Sequence, residues 1–281
     1  MNSDELIKSL ENIARKIRLQ IVEMAYEAGP DRRGHPGPAL SIADIVTALF
    51  FHVMRIDPKN PQLPERDRFI LSKGHASMVL YSALAERGYF EKDILKTFRH
   101  VDSILQGHPD MRKTPGVDMT TGSLGNGLAA GVGMTLAGSI DHRNYHVFVI
   151  LGDGETQEGI VWEAAMAASH YNLDHLVAII DYNGWQSCAR VEETICLNPI
   201  VEKWSSFGWN VLEIDGHSMQ QIISALNLAV LHRGNPTVII AHTIKGKGVS
   251  YMENDNSWHQ KAPTLEQLEI ARQELMLSKE V

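Results

Sequence analysis

The chain has 281 residues, 44 % of them hydrophobic, with 26 lysines and arginines against 34 aspartates and glutamates and a formal charge of −8. That length can bury a sizeable core as one α/β domain, and the acidic balance, without any Lys/Arg block, excludes a nucleic-acid surface and favours small-molecule chemistry. Cys188 and Cys196 are the only cysteines and form no CxxC pair, no apolar run approaches the roughly 20 residues that span a bilayer, and the N-terminus has no signal-peptide apolar stretch, so a reducing, cytoplasmic setting is expected.

Leu6, Ile7, Leu10, Ile13, Ala14, Ile17, Ile21, Met24 and Ala25 recur at helical spacing, which predicts a helix over 4–28 ending at Gly29-Pro30. After a basic loop from Asp31 to Pro38, Ser41-Ile-Ala-Asp44 offers a capping box to a helix running through Phe51. A loop with Pro58, Pro61 and Pro64 leads to LSKGHASMVLYSALAERG, read as a turn at Lys73-Gly74 and a helix to Arg87. Residues 100–127 form a glycine- and proline-rich connection, and connections of that length inside a compact domain are functional or disordered. From residue 127 the chain is regular. A small-residue helix is followed by a strand at 146–151, a helix at 157–170, a strand at 175–181, and a helix near 200–207 beyond Pro199. Then come a strand at 210–214, a helix at 218–232, a strand at 237–242 and a charged helix from Leu265 to Lys279. Such alternation implies a single α/β domain over 1–281, with a mostly parallel sheet and helices on both faces.

Two strand ends carry the first chemical signal. Val147 to Leu151 runs into Gly152-Asp153-Gly154, and the run from His175 delivers Asp181, Asn183 and Gly184 at its own end. Ligands of open α/β sheets bind outside the carboxyl ends of the strands, so both tips face the same edge. Mg²⁺ takes near-octahedral oxygen ligands, usually one or two carboxylates plus substrate phosphates. Asp153, the Asn183 side-chain oxygen and the Trp185 carbonyl would leave room for two diphosphate oxygens and a water. Free N–H groups of a helix starting after Gly154 would favour an anion nearby. The local alternative is that Asp153 caps its helix and Asn183 shapes the turn before Gly184.

Histidines in loops or at helix starts carry the second signal: His35 in GHPG, His75 in GHA, His108 in GHP and His259 in WH. A lone loop histidine is usually a surface or helix-end residue. Here GHPG…LS, LSKGHA…LY, QGHP…PGV, TTGSLGNG, GDGETQEG, DYNG and KGKG follow one another in the order seen in transketolases. From about residue 10 to residue 262 the chain resembles the N-terminal, diphosphate-binding half of that family. The resemblance implies a thiamine-diphosphate-binding fold and a Mg²⁺ (or Ca²⁺ or Mn²⁺) held by Asp153, Asn183 and the Trp185 carbonyl. It sets the cofactor against His75, Gly122, Leu124 and Gly154, with Lys245 near the diphosphate. It also implies His35, His108 and His259 around the reactive carbons of a donor sugar. There such residues hydrogen-bond the C1 and C2 hydroxyls, move a proton off the C3 hydroxyl and stabilise an oxyanion. Glu158 would meet its counterpart from a second active site across a dimer. Without the resemblance, Lys245 reads as a solvated loop lysine and Glu158 as a first-turn glutamate favoured by the helix dipole. Two departures stand out: His259 is followed by Gln260 instead of glycine, and Asn183 by GWQSCARVEE instead of a small apolar residue and an Asp-Gly turn.

Transketolases bind the aminopyrimidine ring with a second domain that also carries phosphate-recognising arginines, and the residues after Lys245 read only as a loop and one helix. The resemblance therefore implies one half of a split transketolase, inactive by itself. A C-terminal, pyrimidine-binding partner would complete it in a heterotetramer with two copies of each subunit. The pair would pass a two-carbon ketol unit from a ketose phosphate to an aldose phosphate. The alternatives are a subunit of a 1-deoxy-sugar-phosphate synthase or 2-oxoacid dehydrogenase, which the loop histidines suit less well, and a non-catalytic cofactor-binding subunit.

Overall fold

The computed structural model describes residues 2–277. Its centre is a five-stranded, all-parallel sheet in the order β1-β2-β3-β5-β4, formed by Arg68–Leu71 (β1), Val147–Gly152 (β2), Leu176–Tyr182 (β3), Asn210–Asp215 (β4) and Thr237–His242 (β5). The helices are Ser3–Ala28 (α1), Pro36–Leu40 (α2), Ala43–Ala48 (α3), Ser77–Arg87 (α4), Asn126–Ile140 (α5), Gly159–His170 (α6), Val191–Thr194 (α7), Ile200–Ser206 (α8), Met219–Leu231 (α9) and Leu265–Leu277 (α10). Side chains of successive strand residues point to opposite faces. Phe148, Ile150, Val177, Ile179 and Ile239 accordingly pack with α1, α3, α4, α9 and α10. Val149, Leu151, Ala178, Ile180, Val238 and Ile240 pack with α5, α6 and α8. Burial on both faces is why β2, β3 and β5 are continuous apolar runs.

The register levels the strand ends that matter. Gly152 pairs with Asp181, and Asp181 with Ala241, so the residues leaving β2, β3 and β5 emerge side by side. Leu71 pairs with Ile150, which brings Ser72 and Lys73 to the same edge. Asn126 starts α5 there after a turn through Gly125 at φ 83, and α5 lies so close that a Cβ on Gly127 would stand 2.3 Å from the Ser72 hydroxyl oxygen. Gly127→Ala should therefore lower stability by about 1–3 kcal/mol through overpacking. A shift of the urea midpoint at unchanged slope would show this, and an unshifted midpoint would contradict the close approach.

Four expectations need correction. β1 has no counterpart among the expected elements: RFIL is only four residues long and lies between the proline-rich loop and Ser72. Residues 36–40 form a short helix with Pro36 in its first turn, inside the expected basic loop. Ser41 is not a cap, since α3 begins at Ala43 behind Ile42, and the Ser41 hydroxyl instead reaches the Pro38 carbonyl at 3.0 Å and Asp181 at 2.7 Å. Asp44 turns away to pair with Arg18, whose Nη1 lies 2.9 Å from its Oδ1. Gly154 opens a 3₁₀ turn, Gly154–Gln157, in place of the expected helix, and the α-helix starts only at Gly159. The long connection is as expected, without helix or strand over 98–125. α10 starts at Leu265 as expected, while Lys279 lies outside the described residues. Among the described residues no helix is long and apolar enough to cross a membrane.

Candidate active site

Beyond the β2 and β3 tips lies a cleft of about 370 Å³. Asp153 forms its floor. Only 2 % exposed, its carboxylate accepts the Gly154 N–H at 2.7 Å and the Gly184 N–H at 2.6 Å, and it belongs to no ion pair among the described residues. Burial first, and the neighbouring Asp181 charge second, push its carboxyl up to about 7. A buried carboxylate without a counter-charge gains from a cation beside it.

Asp181 is the opposite case. Fully buried, it accepts hydrogen bonds from Ser41, from Asn183 Nδ2 at 2.8 Å, from Thr243 and from Lys73, with which it forms an ion pair. Burial disfavours its charge, but the Lys73 ammonium and these donors hold the carboxyl below its ordinary range. The arrangement orients Asn183, because an amide that donates through Nδ2 to Asp181 must present Oδ1 elsewhere. Asn183 Oδ1 takes the Trp185 N–H at 3.0 Å, and the Trp185 carbonyl accepts no hydrogen bond among the described residues. Trp185 is held by a bridge to Arg190 and by the Arg190 guanidinium, 4.8 Å from its ring. The capping and turn roles of Asp153 and Asn183 are thus real, and both residues line the cleft together with Trp185.

Three imidazoles line the same cleft. The rings of His35, His75 and His259 form a triangle with every pair of centroids 5.3 Å apart. His108 stands behind Gly122, where a Cβ would come within 3.2 Å of its ring, and it is the one expected site residue that does not line the cleft. Burial first, then neighbouring positive groups, lowers His35 to about 4 and His259 to about 3, and moves His75 well below and His108 below the ordinary histidine value. All four rings are therefore neutral near pH 7, each with one donor and one acceptor nitrogen.

Lys245 is no solvated loop lysine. It is 1 % exposed and donates to the Gln186 carbonyl at 3.0 Å, to Asn256 Oδ1 at 2.6 Å and to His259 Nδ1 at 3.0 Å. Burial, with Lys73 adding repulsion, brings its ammonium down to about 8. An ammonium only donates, so His259 accepts at Nδ1 and carries its hydrogen on Nε2. Gln260 has extended backbone and leaves His259 within the triangle. Gly122, Leu124 and Gly154 also line the cleft, and an added Cβ on Gly154 would meet Gln186 Cγ at 2.8 Å. Glu158 is exposed at the rim, as the N-cap of α6.

Residues 9–280 match the family described as "Transketolase, thiamine diphosphate binding domain". The chain is 46 % identical over 264 residues to the 6-deoxy-6-sulfo-D-fructose transketolase subunit of Clostridium sp. (strain MSTE9), covering 94 % of each. It is 42 % identical over 269 residues to an apulose-4-phosphate transketolase subunit of Phocaeicola vulgatus, covering 96 % of this chain and 94 % of that one. The chain belongs to the transketolase family. A crystal structure of transketolase from Campylobacter jejuni superposes with a TM-score of 0.90 at 32 % identity, over 98 % of this chain but only 43 % of that one. The chain therefore spans under half the length of that solved transketolase and nearly all of the two subunits.

Three buried side chains in and beneath this transketolase-family cleft have roles that the sequence does not reveal. Lys73 and Asp181 make the buried ion pair. Glu155, 3 % exposed, ties the tip of β2 to the turn before α5, accepting from Ser72, from Gly125 N at 2.7 Å and from Gly152 N at 3.0 Å. Lys73 sits inside the LSKGHA motif, where the histidine alone carries the resemblance's cofactor role. Nothing local to Asp181 or Glu155 reveals partners 30 to 140 residues away.

Proposed function

We propose that this chain is the diphosphate-binding subunit of a split transketolase. With a pyrimidine-binding partner it would move a two-carbon ketol unit from a ketose to an aldose. The observation that carries the reading is one cleft lined both by Asp153, Asn183 and Trp185 and by the neutral histidines His35, His75 and His259. The donor set fits a hard divalent cation, Mg²⁺ with Ca²⁺ or Mn²⁺ as substitutes: one oriented amide oxygen and, among the described residues, one carboxylate lacking a counter-charge and one carbonyl that accepts no hydrogen bond. Bound thiamine diphosphate supplies the carbon nucleophile and the electron sink for the transfer.

The chain's own residues bind, orient and move protons. Asp153, Asn183 and the Trp185 carbonyl would hold the cation, with His75, Gly122, Leu124 and Gly154 against the cofactor and Lys245 adding positive charge near its diphosphate. His259, with its hydrogen on Nε2, donates to a donor-sugar oxygen. His35 and His108, neutral and able to accept, take the proton from the C3 hydroxyl as the C2–C3 bond breaks and return one to the acceptor. Burial of the cleft floor limits water around these steps.

The names of the two relatives specify a sulfonated and a phosphorylated sugar, and we infer an anionic ketose as donor here. Two copies of each subunit would form the assembly, with the rim residue Glu158 facing its counterpart. The cytoplasm is the proposed compartment, a reducing setting that suits exposed, unpaired Cys188 and Cys196. The reconstituted pair should turn over a ketose phosphate and leave pyruvate untouched, as followed by aldose release and by CO₂ evolution. Turnover of pyruvate alone would transfer the chain to the 2-oxoacid branch of the same cofactor chemistry.

A further inference from the structure

Arg99 lies outside the cleft wall and touches two histidine loops, that of His35, which lines the cleft, and that of His108. It has φ 59, in the left-handed region that disfavours any residue with a Cβ and that is kept where surrounding structure demands it. The bend is fixed by the Arg99 N–H, which donates to the Leu105 carbonyl at 2.8 Å. Just before it the Phe98 ring, 1 % exposed, packs where a Cβ on Gly34 would come within 2.9 Å. The Arg99 guanidinium donates through Nη1 to the Arg33 carbonyl, two residues before His35. Its Nε lies 3.3 Å from the position of a Cβ on Gly107, the residue before His108. It forms no ion pair among the described residues. A strained, half-buried arginine that donates to one histidine loop and packs against another is hard to explain as a surface cation.

We propose that Arg99 is a positioning residue for ketol transfer, holding the His35 and His108 loops at the spacing that the donor sugar's proton transfers require. The inference rests on the role given to these two histidines in the proposed function.

The charge on Arg99 acts in the same direction. It disfavours protonation of His35, behind burial and the His108 ring, and of His108, behind burial alone. Around His35 stand the His75 and His259 rings at 5.3 Å and the Lys245 ammonium. The charges acting on His35 come from His108, Arg99 and Lys245, and on His108 from Arg99. Removing the guanidinium should therefore raise the titration of both rings. Neutral imidazole would then be lost at a higher pH, and the acid limb of the rate profile would move upward.

Arg99→Gly and Arg99→Lys in the full chain test this. Glycine adopts φ 59 without penalty, so R99G deletes the guanidinium while relieving the backbone. Ring titrations are followed by NMR on histidine-labelled chain, with resonances assigned by His35→Gln and His108→Gln. Kinetics are measured on the chain with its partner subunit. R99G should unfold at no lower urea concentration than wild type. Its His35 and His108 midpoints should rise by about half a pH unit, and kcat should fall about tenfold with thiamine diphosphate affinity unchanged. R99K keeps the charge without the fork, so it should restore the titration and only part of the rate. A folded R99G chain with wild-type midpoints and kcat overturns the proposal. So does a loss of cofactor affinity as large as the loss of rate, which would make Arg99 merely structural. Full activity in both histidine variants would instead defeat the proposed function, and the titration would still report on the Arg99 contacts.

Discussion

Asp153→Ala should abolish metal-dependent binding of thiamine diphosphate, raising its Kd by about 100-fold or more. The carboxylate has the features of a cation ligand: it is 2 % exposed and, among the described residues, it accepts two backbone N–H groups and no positive side chain pairs with it. Its neighbour Asp181 already has Lys73 and cannot substitute, because its oxygens are committed to Ser41, Asn183, Thr243 and that lysine. Titration calorimetry of the chain with thiamine diphosphate at fixed Mg²⁺, and again after chelation by EDTA, provides the measurement. Chelation of the wild type should reproduce the variant, with circular dichroism showing both folded. A variant that binds as tightly as wild type would remove Asp153 from the metal set.

His35→Ala and His108→Ala should each lower kcat of the reconstituted enzyme by about 100-fold while leaving the cofactor Kd within about twofold, because neither residue belongs to the proposed metal or cofactor set. That split between rate and binding separates an enzyme from a cofactor-binding subunit that has lost the reaction. If His108→Ala kept full activity while Asp153→Ala lost binding, the binding-subunit reading would gain. The pH profile supplies a second readout. Burial lowers His35 to about 4 and His259 to about 3, so both should stay neutral as pH falls from 8 and protonate only below about pH 5. An acid limb at or above the ordinary histidine value would contradict the lowered titration of His35 and His108.

The parallel sheet could be read directly from the sequence where strands are buried on both faces. VFVIL and LVAII are uninterrupted apolar runs, and each leads within three residues to a proposed metal ligand, Asp153 or Asn183. β1 could not be read this way, because four residues at a sheet edge carry no period of their own. Ser41 illustrates a different limit: Ser-x-x-Asp is a cap pattern by local chemistry, yet the hydroxyl is claimed by Asp181, 140 residues on. The site divides similarly. Motif order assembled the histidines, Asp153 and Asn183, and all except His108 line a single cleft. Spacing alone could not show that Lys245 is buried and fixes the His259 tautomer, since its three partners come from loops at 186 and 256–259. Nor could it show Arg99 bridging two loops, because a left-handed arginine has no sequence signature.

The central claim is that this chain contributes half of a thiamine diphosphate site. Its most direct test is a titration of the chain, with cofactor and Mg²⁺ present, by a pyrimidine-binding transketolase subunit, with ketol transfer from a ketose phosphate as readout. Neither polypeptide should be active by itself, and activity should saturate at an equimolar ratio. Full ketol transfer by this chain without the partner would contradict the account.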